Sequence, residues 1–416
     1  MPSVGLSNSV IYLNLNIMRK SLRQSVISSQ ASASKSRQSI PRTSTLGPRK
    51  LSRKVSYAVV KSHHQAGDVD EDNRLAEVEQ GLHLEGDITI LSQIEGTQEI
   101  LCLSYTETFD YLGIGLADGT VRLINRKTGE FEGTLRDEEI NQNPGTTTSI
   151  KHRPVQGALP VTQTLTATYV TGCVKCWHYP TGRCLYTIRE NRQTLGLAYH
   201  PTLPKFVTVG DDTKLCVYDE ETKALERILQ ASNSPDVMNG HRSRVFAACF
   251  NPRSSHEIIS GGWDDTIQFW DIREPHASRF ISGVHICGDS IDISQDGKEI
   301  LTCSWSKQDP IKLWDYGTGK LIDTLEPDPW ESLLYTGKFV GSSFASCGGC
   351  DANLFRIIDL TSKKTLSAIK KLPGGVYDID VGPPHSKFQK KSVRRPPPPR
   401  IAFCSGKTVF EVESNI

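Results

Sequence analysis

Two Cys-x-x-Cys pairs are the residues of this chain whose spacing could support chemistry: Cys173 with Cys176, and Cys347 with Cys350. Such pairs can supply the four thiolates of a structural zinc site when they lie close together in the sequence. Here the pairs lie in different halves of the chain, and we expect them to be too far apart to share one ion. We therefore interpret them as thiols that fill a core, and we predict no metal site and no cofactor.

No catalytic motif accompanies these cysteines. The chain has no nucleophile elbow, phosphate-binding loop, zinc-protease helix or dinucleotide fingerprint. Acidic residues are plentiful, but none forms a defined pair that the sequence places across a cleft. The Gly-Gly pairs at 261–262 and 348–349 are interpreted as turn glycines that supply backbone freedom. The sequence thus predicts a binding protein and not an enzyme.

The segment 239–271 indicates which structural elements carry the polar residues. It opens with a Gly-His pair and closes with a Trp-Asp pair. Between them, strand-like runs at 245–250, 257–260 and 266–270 are separated by short turns, the last of which contains Asp264. The pattern predicts three consecutive antiparallel strands.

This arrangement resembles a blade of the WD-repeat β-propeller family. One blade cannot bury both faces of its own sheet, so a clear copy predicts several degenerate ones. The family period is about 40–45 residues. Positions equivalent to Trp270 recur at Ile124, Trp177, Tyr218, Trp314, Ile358 and Val412. Three of the intervals are longer than the period, and we interpret 137–160, 231–239 and 383–400 as the inserted loops.

The last repeat lacks an outer strand, since only four residues follow Val412. A strand-like run at 87–97 precedes the first repeat and has no assigned partner. We predict that it pairs with 408–413, which leaves no open sheet edge where the ring closes. The predicted fold is all-β: a seven-bladed β-propeller over 86–416 with a basic Pro-rich insert at 383–400, preceded by a disordered tail over 1–85.

The family resemblance implies a hydrogen-bond chain inside one blade. Trp270, Ser260, His241 and Asp264 lie where the family places its Trp, Ser/Thr, His and Asp. Polar groups inside a packed blade need partners, so His241 is interpreted as structural and not as a catalyst or metal ligand. The other repeats depart from this pattern; the third, for example, has Tyr218 in place of the Trp.

A propeller offers its rim to partners, because the loops that join blades and the turns between second and third strands gather at one end of the channel. Trp and Arg are enriched at binding hot spots, and we predict that other proteins bind here. Sideways packing of the tryptophans between blades is the alternative. The candidate residues are Arg242, Arg244, Trp263, Trp305 and Trp330.

A second resemblance concerns 258–273, which matches WD-repeat proteins that dock on the damaged-DNA-binding adaptor of cullin ubiquitin ligases. Most of these positions match the pattern of any blade of the family, and Arg273 alone is specific to the adaptor-docking pattern. The resemblance implies that Arg273 lies on the blade surface and contacts the adaptor. A substrate receptor of a ubiquitin ligase is therefore an alternative function.

The charge of the chain is divided, although its net value is +1. Residues 1–67 hold 11 Lys or Arg and no acid, 383–400 hold six and no acid, and 68–382 hold 30 basic and 45 acidic residues. The two basic segments are predicted either to contact nucleic acid, microtubules or an anionic membrane, or to stay solvated or fold back on the acidic body.

The tail and the cysteines bear on localisation. Residues 1–67 include 15 serines, several beside basic residues, so the tail could act as a phosphorylation switch or a targeting signal. Eleven cysteines without a secretory signal indicate a reducing compartment. We predict no membrane span, and a cytoplasmic, nuclear or cytoskeleton-associated protein.

Overall fold

The computed structural model describes residues 81–154, 160–234, 236–325, 332–382 and 398–414. These residues form seven antiparallel sheets, which confirms the predicted seven-bladed propeller. The burial patterns explain the arrangement. The second strand of blade 2, TLTATY at Thr164–Tyr169, is buried along its whole length because other blades cover both faces. The outermost strand ITILSQIE at Ile88–Glu95 alternates between exposed side chains and side chains that are buried or half-buried.

Each of the first three blades is one four-stranded sheet whose strands follow one another from the axis outward. Blade 1 contains β3 (Ile100–Tyr105), β4 (Tyr111–Leu116), β5 (Val121–Asn125) and β6 (Phe131–Leu135). Blade 2 contains β7 (Thr147–His152), β8 (Thr164–Tyr169), β9 (Cys173–His178) and β10 (Arg183–Arg189). Blade 3 contains β11 (Thr194–Tyr199), β12 (Lys205–Gly210), β13 (Leu215–Asp219) and β14 (Ala224–Leu229).

The remaining blades continue the same order. Blade 4 contains β15 (Val245–Phe250), β16 (Glu257–Gly262), β17 (Thr266–Asp271) and β18 (Arg279–Ser282). Blade 5 contains β19 (Ile291–Ile293), β20 (Glu299–Cys303), β21 (Ile311–Asp315) and β22 (Leu321–Leu325). Blade 6 contains β23 (Leu333–Val340), β24 (Phe344–Cys350), β25 (Phe355–Asp359) and β26 (Lys364–Lys370), and blade 7 contains β27 (Val376–Val381), β28 (Ile401–Ser405) and β29 (Thr408–Ser414).

The inner strands form a closed ring around the axis. Each of them contacts the inner strand of the next blade, and β27 of blade 7 contacts β3 of blade 1. Because every sheet is a simple meander, all inner strands start at the same end of the channel, where the turns between second and third strands also lie. We call this end the entry rim and the opposite end the exit end.

The N-terminal segment closes the ring in the predicted manner. Strand β2 (Ile88–Glu95) pairs antiparallel with β29 as the outer strand of blade 7, with Ile88 opposite Ser414 and Glu95 opposite Thr408. A strand that the sequence analysis did not predict precedes it. Strand β1 (His83–Gly86) pairs with β26 as a fifth strand of blade 6, and Glu85 accepts a 2.7 Å hydrogen bond from Nζ of Lys370.

Two local predictions were wrong. The interval 137–160 is not all loop, because it contains the helix α1 (Glu138–Gln142) and the inner strand β7. The pairs at 261–262 and 348–349 lie within strands and not at turns. Glycine is needed there for close approach: a Cβ on Gly262 would lie 2.1 Å from the Arg244 carbonyl oxygen, and one on Gly349 would lie 2.0 Å from that of Leu333.

Candidate functional site

A buried hydrogen-bond chain crosses blade 4 through the four residues that the sequence singled out. Nε1 of Trp270 donates to Oγ of Ser260 at 2.8 Å, and this oxygen lies 2.7 Å from Nε2 of His241. Nδ1 of His241 lies 2.9 Å from Oδ2 of Asp264. The hydrogen-bond chain connects the interior of the sheet to the entry rim, because Asp264 occupies the turn between β16 and β17.

Asp264 also holds the segment that enters blade 4. The backbone N–H of Arg242 donates to its Oδ2 at 2.7 Å, and the Thr266 hydroxyl donates to Oδ1 at 2.9 Å. Burial raises the pKa of Asp264, but the hydrogen bonds and charge of His241 outweigh it and the net shift is downward. The polar chain thus holds the loop that carries Arg242 and Arg244 in one position on the rim.

Blade 3 contains an equivalent chain built from other residue types. The hydroxyl of Tyr218 donates to Oε1 of Glu190 at 2.7 Å, and Thr208 donates to the same oxygen. Arg192 binds Glu190 with Nε at 2.9 Å and Asp212 with Nη1 at 2.7 Å. Glu190 therefore occupies the place that His241 has in blade 4. The positive charge of Arg192 compensates the buried negative charge of Glu190.

The entry rim carries a continuous series of ring contacts that runs from blade 4 to blade 7. The centroid distances along it are 5.6, 6.1, 6.3, 6.5 and 5.4 Å. Aromatic pairs at this spacing attract each other and make a rigid surface. We call these residues the rim arc; in order they are Phe246, Trp263, His285, Trp305, Tyr335 and Tyr377.

β-bulges place three of the rings. Phe246, Tyr335 and Tyr377 are the unpaired residues at the register shifts between the first and second strands of blades 4, 6 and 7. A bulge residue interrupts the alternation of side-chain directions along its strand, so its side chain points in a different direction from the one that the regular strand would give it. The rim arc therefore depends on the β-bulge that each of these inner strands has near the entry rim.

Arg244 lies at the blade 4 end of the arc. Its guanidinium carbon is 4.6 Å from the centroid of the Trp263 ring, a cation–π contact. Within the described residues, the guanidinium forms no hydrogen bond or ion pair. Trp263 donates its indole N–H to Sγ of Cys287 at 2.9 Å, which holds the ring below Arg244.

Trp305 is the middle of the arc and is only 7% exposed. Its indole Nε1 is buried and has no hydrogen-bond acceptor within normal distance in the described part of the chain. Burial raises the pKa of the nearby Cys350 thiol, and the Trp305 N–H opposes that rise, but sulfur is a weak acceptor. An unsatisfied buried donor is rare enough in folded proteins to require an explanation.

The other predicted rim residues lie apart from the arc or outside the described residues. The Arg242 side chain binds the carbonyl oxygens of Ser234 and Val237 at 3.2 and 2.8 Å. Arg273 has a side chain that is 66% exposed and pairs with Asp271. Trp330 lies outside the described residues, as do the insert residues 383–397 and the tail residues 1–80.

A charged network in the channel was not predicted. Nζ of Lys151, on blade 2, lies 2.6 Å from Oδ2 of Asp289, which precedes blade 5, and Nζ of Lys338 lies 2.9 Å from Oδ1 of the same carboxylate. Burial opposes the charge of Asp289, but the two ammonium groups outweigh it and lower its pKa. Burial raises the pKa of nearby Asp378 to about 7.

The network forms the floor of a cavity of about 270 Å³ at the exit end. Aspartates also join the inner strands: Oδ2 of Asp378 accepts the Leu103 N–H at 3.0 Å, and Oδ2 of Asp380 accepts the Tyr105 N–H at 2.8 Å. These bonds satisfy inner-strand groups that face the channel and have no strand partner. The carboxylates therefore have a structural role already, and they link blade 7 to blade 1.

The Cys-x-x-Cys pairs do not come together. Cys173 and Cys176 lie on β9 of blade 2, while Cys347 and Cys350 lie on β24 of blade 6. Residues three apart on a strand point to opposite faces, so neither pair converges on one point. Across the described ranges, no group of three or more His, Cys, Asp or Glu is arranged to hold a metal ion.

Sequence reasoning missed signals that were present. Tyr218 and Thr208 are separated by the same ten residues as Trp270 and Ser260, so the blade 3 chain could have been found by offset. The bulge residues share a position near the start of each inner strand. No sequence pattern indicated the contact between Lys151 and Asp289, because this contact depends on the distance across the closed ring.

The fold and the repeated polar chain define a β-propeller built from tandem sheet repeats. A family model described as "WD domain, G-beta repeat" matches residues 233–271. This match covers the region of blade 4, so the chain carries one recognisable WD repeat within a seven-bladed β-propeller.

Several curated proteins are similar to parts of the chain. They include a probable coatomer subunit beta' of Schizosaccharomyces pombe, 30% identical over 26% of this chain and 13% of that protein. The small ribosomal subunit protein RACK1 of Drosophila melanogaster is 29% identical over 32% of this chain and 40% of that protein. Coronin-7 of Rattus norvegicus is 22% identical over 48% of this chain and 21% of that protein. The chain thus covers well under two thirds of the relatives' own length.

The predicted absence of a membrane span concerns helices that could cross a bilayer. Among the residues whose structure is described, no helix has the length and apolar character that such a crossing requires.

Proposed function

We propose that this chain is a non-enzymatic scaffold that binds other proteins through its entry rim. The observation that carries the proposal is the rim arc, a rigid series of rings from blade 4 to blade 7, with an arginine at one end that pairs with none of the described residues. Aromatic and Arg side chains held in place by their surroundings supply much of the binding energy at protein interfaces. The polar chain of blade 4 pre-organises the loop that presents Arg244.

Relatives support the same class of function. Two of the similar proteins are named as subunits of coatomer and one as a protein of the small ribosomal subunit, and each of these names denotes a component of a larger assembly. We propose that this chain is also a component of a larger assembly, in the cytoplasm, the nucleus or on the cytoskeleton. Its partners would be those that bind the residues of its own entry rim.

Affinity purification of the full chain with two surface variants tests the scaffold proposal. Trp263→Ala removes the ring that Arg244 covers, whereas Leu321→Ala removes a side chain that is 47% exposed on the outer strand of blade 5. The expected result is that co-purifying proteins, quantified by mass spectrometry, are lost from the first variant and retained by the second. Equal recovery from both variants and the wild type would count against rim binding.

Docking on the ubiquitin-ligase adaptor is a second candidate, and the geometry of Arg273 favours it. The guanidinium is exposed, and Asp271 orients it with Nε at 2.9 Å and Nη2 at 2.6 Å. The expected result for Arg273→Ala is loss of adaptor co-purification while rim partners are kept. Unchanged adaptor recovery would remove this candidate.

Contact with a polyanion or a microtubule is a third candidate, based on the charge division of the sequence. It concerns residues 1–67 and 383–400. Deletion of 1–67 is expected to weaken co-sedimentation with RNA or microtubules and to reduce its salt dependence. Co-sedimentation that does not change would exclude the tail as the anchor.

A further inference from the structure

An arginine without an acceptor lies beside the rim arc, and this determines what kind of group fits the arc. The Arg244 guanidinium stacks on Trp263 and has no anionic partner in the described residues. Trp263 and the buried Trp305 are joined through the ring of His285, at 6.1 and 6.3 Å. The Arg244 guanidinium and the rings of the arc therefore form one continuous surface feature.

The rim carboxylates nearby are already engaged. Asp264 binds His241, Asp265 lies 2.6 Å from Nδ1 of His285, and Asp351 lies 3.4 Å from Nζ of Lys307. None of them pairs with Arg244, although the propeller body has an excess of acid. An unpaired guanidinium on an acidic body, oriented by a ring, is suited to an anion that another molecule supplies.

A basic occupant fits less well. The aromatic faces could attract a cation, but Arg244 already covers Trp263 and would repel a second positive charge. The Arg244 guanidinium and the rings together favour a carboxylate beside apolar groups.

Resting on the proposed scaffold function, we propose that the rim arc binds an acidic, partly apolar peptide segment of a partner protein. An Asp or Glu side chain of this segment accepts hydrogen bonds from Arg244, and its apolar neighbours lie on the rings.

The probe is a phage-displayed library of random dodecapeptides, selected on the full chain, followed by affinity measurement with synthetic versions of the enriched peptides. The expected peptides contain Asp or Glu next to apolar residues. Arg244→Gln and replacement of the peptide carboxylate by its amide should each weaken binding by about 10- to 100-fold. The two changes together should cost little more than one, since they remove the same interaction.

A matched variant separates this interaction from general damage. Arg242→Gln removes a neighbouring arginine whose side chain binds main-chain carbonyls of its own loop, and it should leave affinity unchanged.

Other outcomes discriminate between the two proposals. Enriched peptides that are basic, or that keep their affinity for Arg244→Gln while losing it for Trp263→Ala, would overturn this inference and leave rim binding intact. Peptides that bind Trp263→Ala as well as the wild type would contradict both proposals. Failure to enrich any peptide would overturn the inference alone, if the co-purifying proteins still depend on Trp263.

Discussion

Lys151 and Asp289 face each other across the central channel, with Nζ and Oδ2 2.6 Å apart. They belong to blade 2 and to the entry into blade 5, which are nearly opposite in a ring of seven. The pair therefore joins two distant parts of the ring across the channel.

Removing the central carboxylate should destabilise the ring. Asp289→Asn leaves Lys151 and Lys338 without their shared anion, in sites where these side chains are 29% and 17% exposed. We expect a loss of about 1.5–3 kcal/mol in the free energy of unfolding, measured by urea titration. Asp296→Asn, at an exposed pair with Lys298, is the control and should cause no measurable change. Equal effects of both variants would show that the channel network carries no stability.

Three tryptophans allow the value of one hydrogen bond to be measured. Trp270→Phe and Trp314→Phe remove N–H groups that donate to Ser260 at 2.8 Å and Thr302 at 2.9 Å, whereas Trp305→Phe removes one that has no partner among the described residues. The change in volume is the same in each case. We expect the first two variants to lose about 1–2 kcal/mol more than the third in chemical denaturation. A loss for Trp305→Phe as large as the others would mean that its N–H is satisfied.

The blade 3 chain should behave as a coupled unit. Arg192→Met leaves the buried carboxylate of Glu190 without its cation and should cost about 3–5 kcal/mol. Arg192→Met combined with Glu190→Gln should cost less than the sum of the single changes, because the stranded charge is gone. Additive effects in this double-mutant cycle, read by thermal and urea unfolding, would contradict the assignment.

The seam should depend on the buried face of β2. Ile88 is packed in the core between blades 6 and 7, while Leu91 on the same strand is exposed. Ile88→Ala is expected to cost about 2–5 kcal/mol and to lower the melting temperature. Leu91→Ala should leave it unchanged. If the two variants are equally stable, β2 contributes little to closure.

Asp378 should make stability depend on pH near neutrality. Burial holds its folded-state pKa at about 7, above the ordinary value of 3.8, so the folded chain keeps a proton that the unfolded chain has lost. Stability therefore falls as pH rises from about 4 to 7, and this contribution is constant outside the window. In Asp378→Asn the fall should be smaller, as measured by urea unfolding across this range. An identical slope for wild type and variant would refute the assignment.

Much of the fold could be predicted from local pattern. Strand periodicity, turn residues and the position of Trp270 in one clear repeat were sufficient for seven blades, and the incomplete last repeat required the run at 87–97 to close the ring. The strand β1 escaped prediction because a four-residue edge strand has too little pattern to separate it from a turn.

The site was predictable only in part. Trp270, Ser260, His241 and Asp264 follow fixed offsets in one repeat, so their contacts depend on local hairpin geometry. The rim arc instead joins side chains from four blades, and three of them stand at bulges that interrupt the alternation on which sequence reasoning depends.

The sequence by itself determined the repeat, its strands and the polar chain within a blade, because those interactions join residues a few tens of positions apart. Tertiary structure alone decided which rings touch across blades, that Arg244 and the Trp305 N–H find no partner in the described part of the chain, and that Lys151 reaches Asp289. The physical reason is closure: ring curvature sets the distances between blades, and no single repeat contains that information.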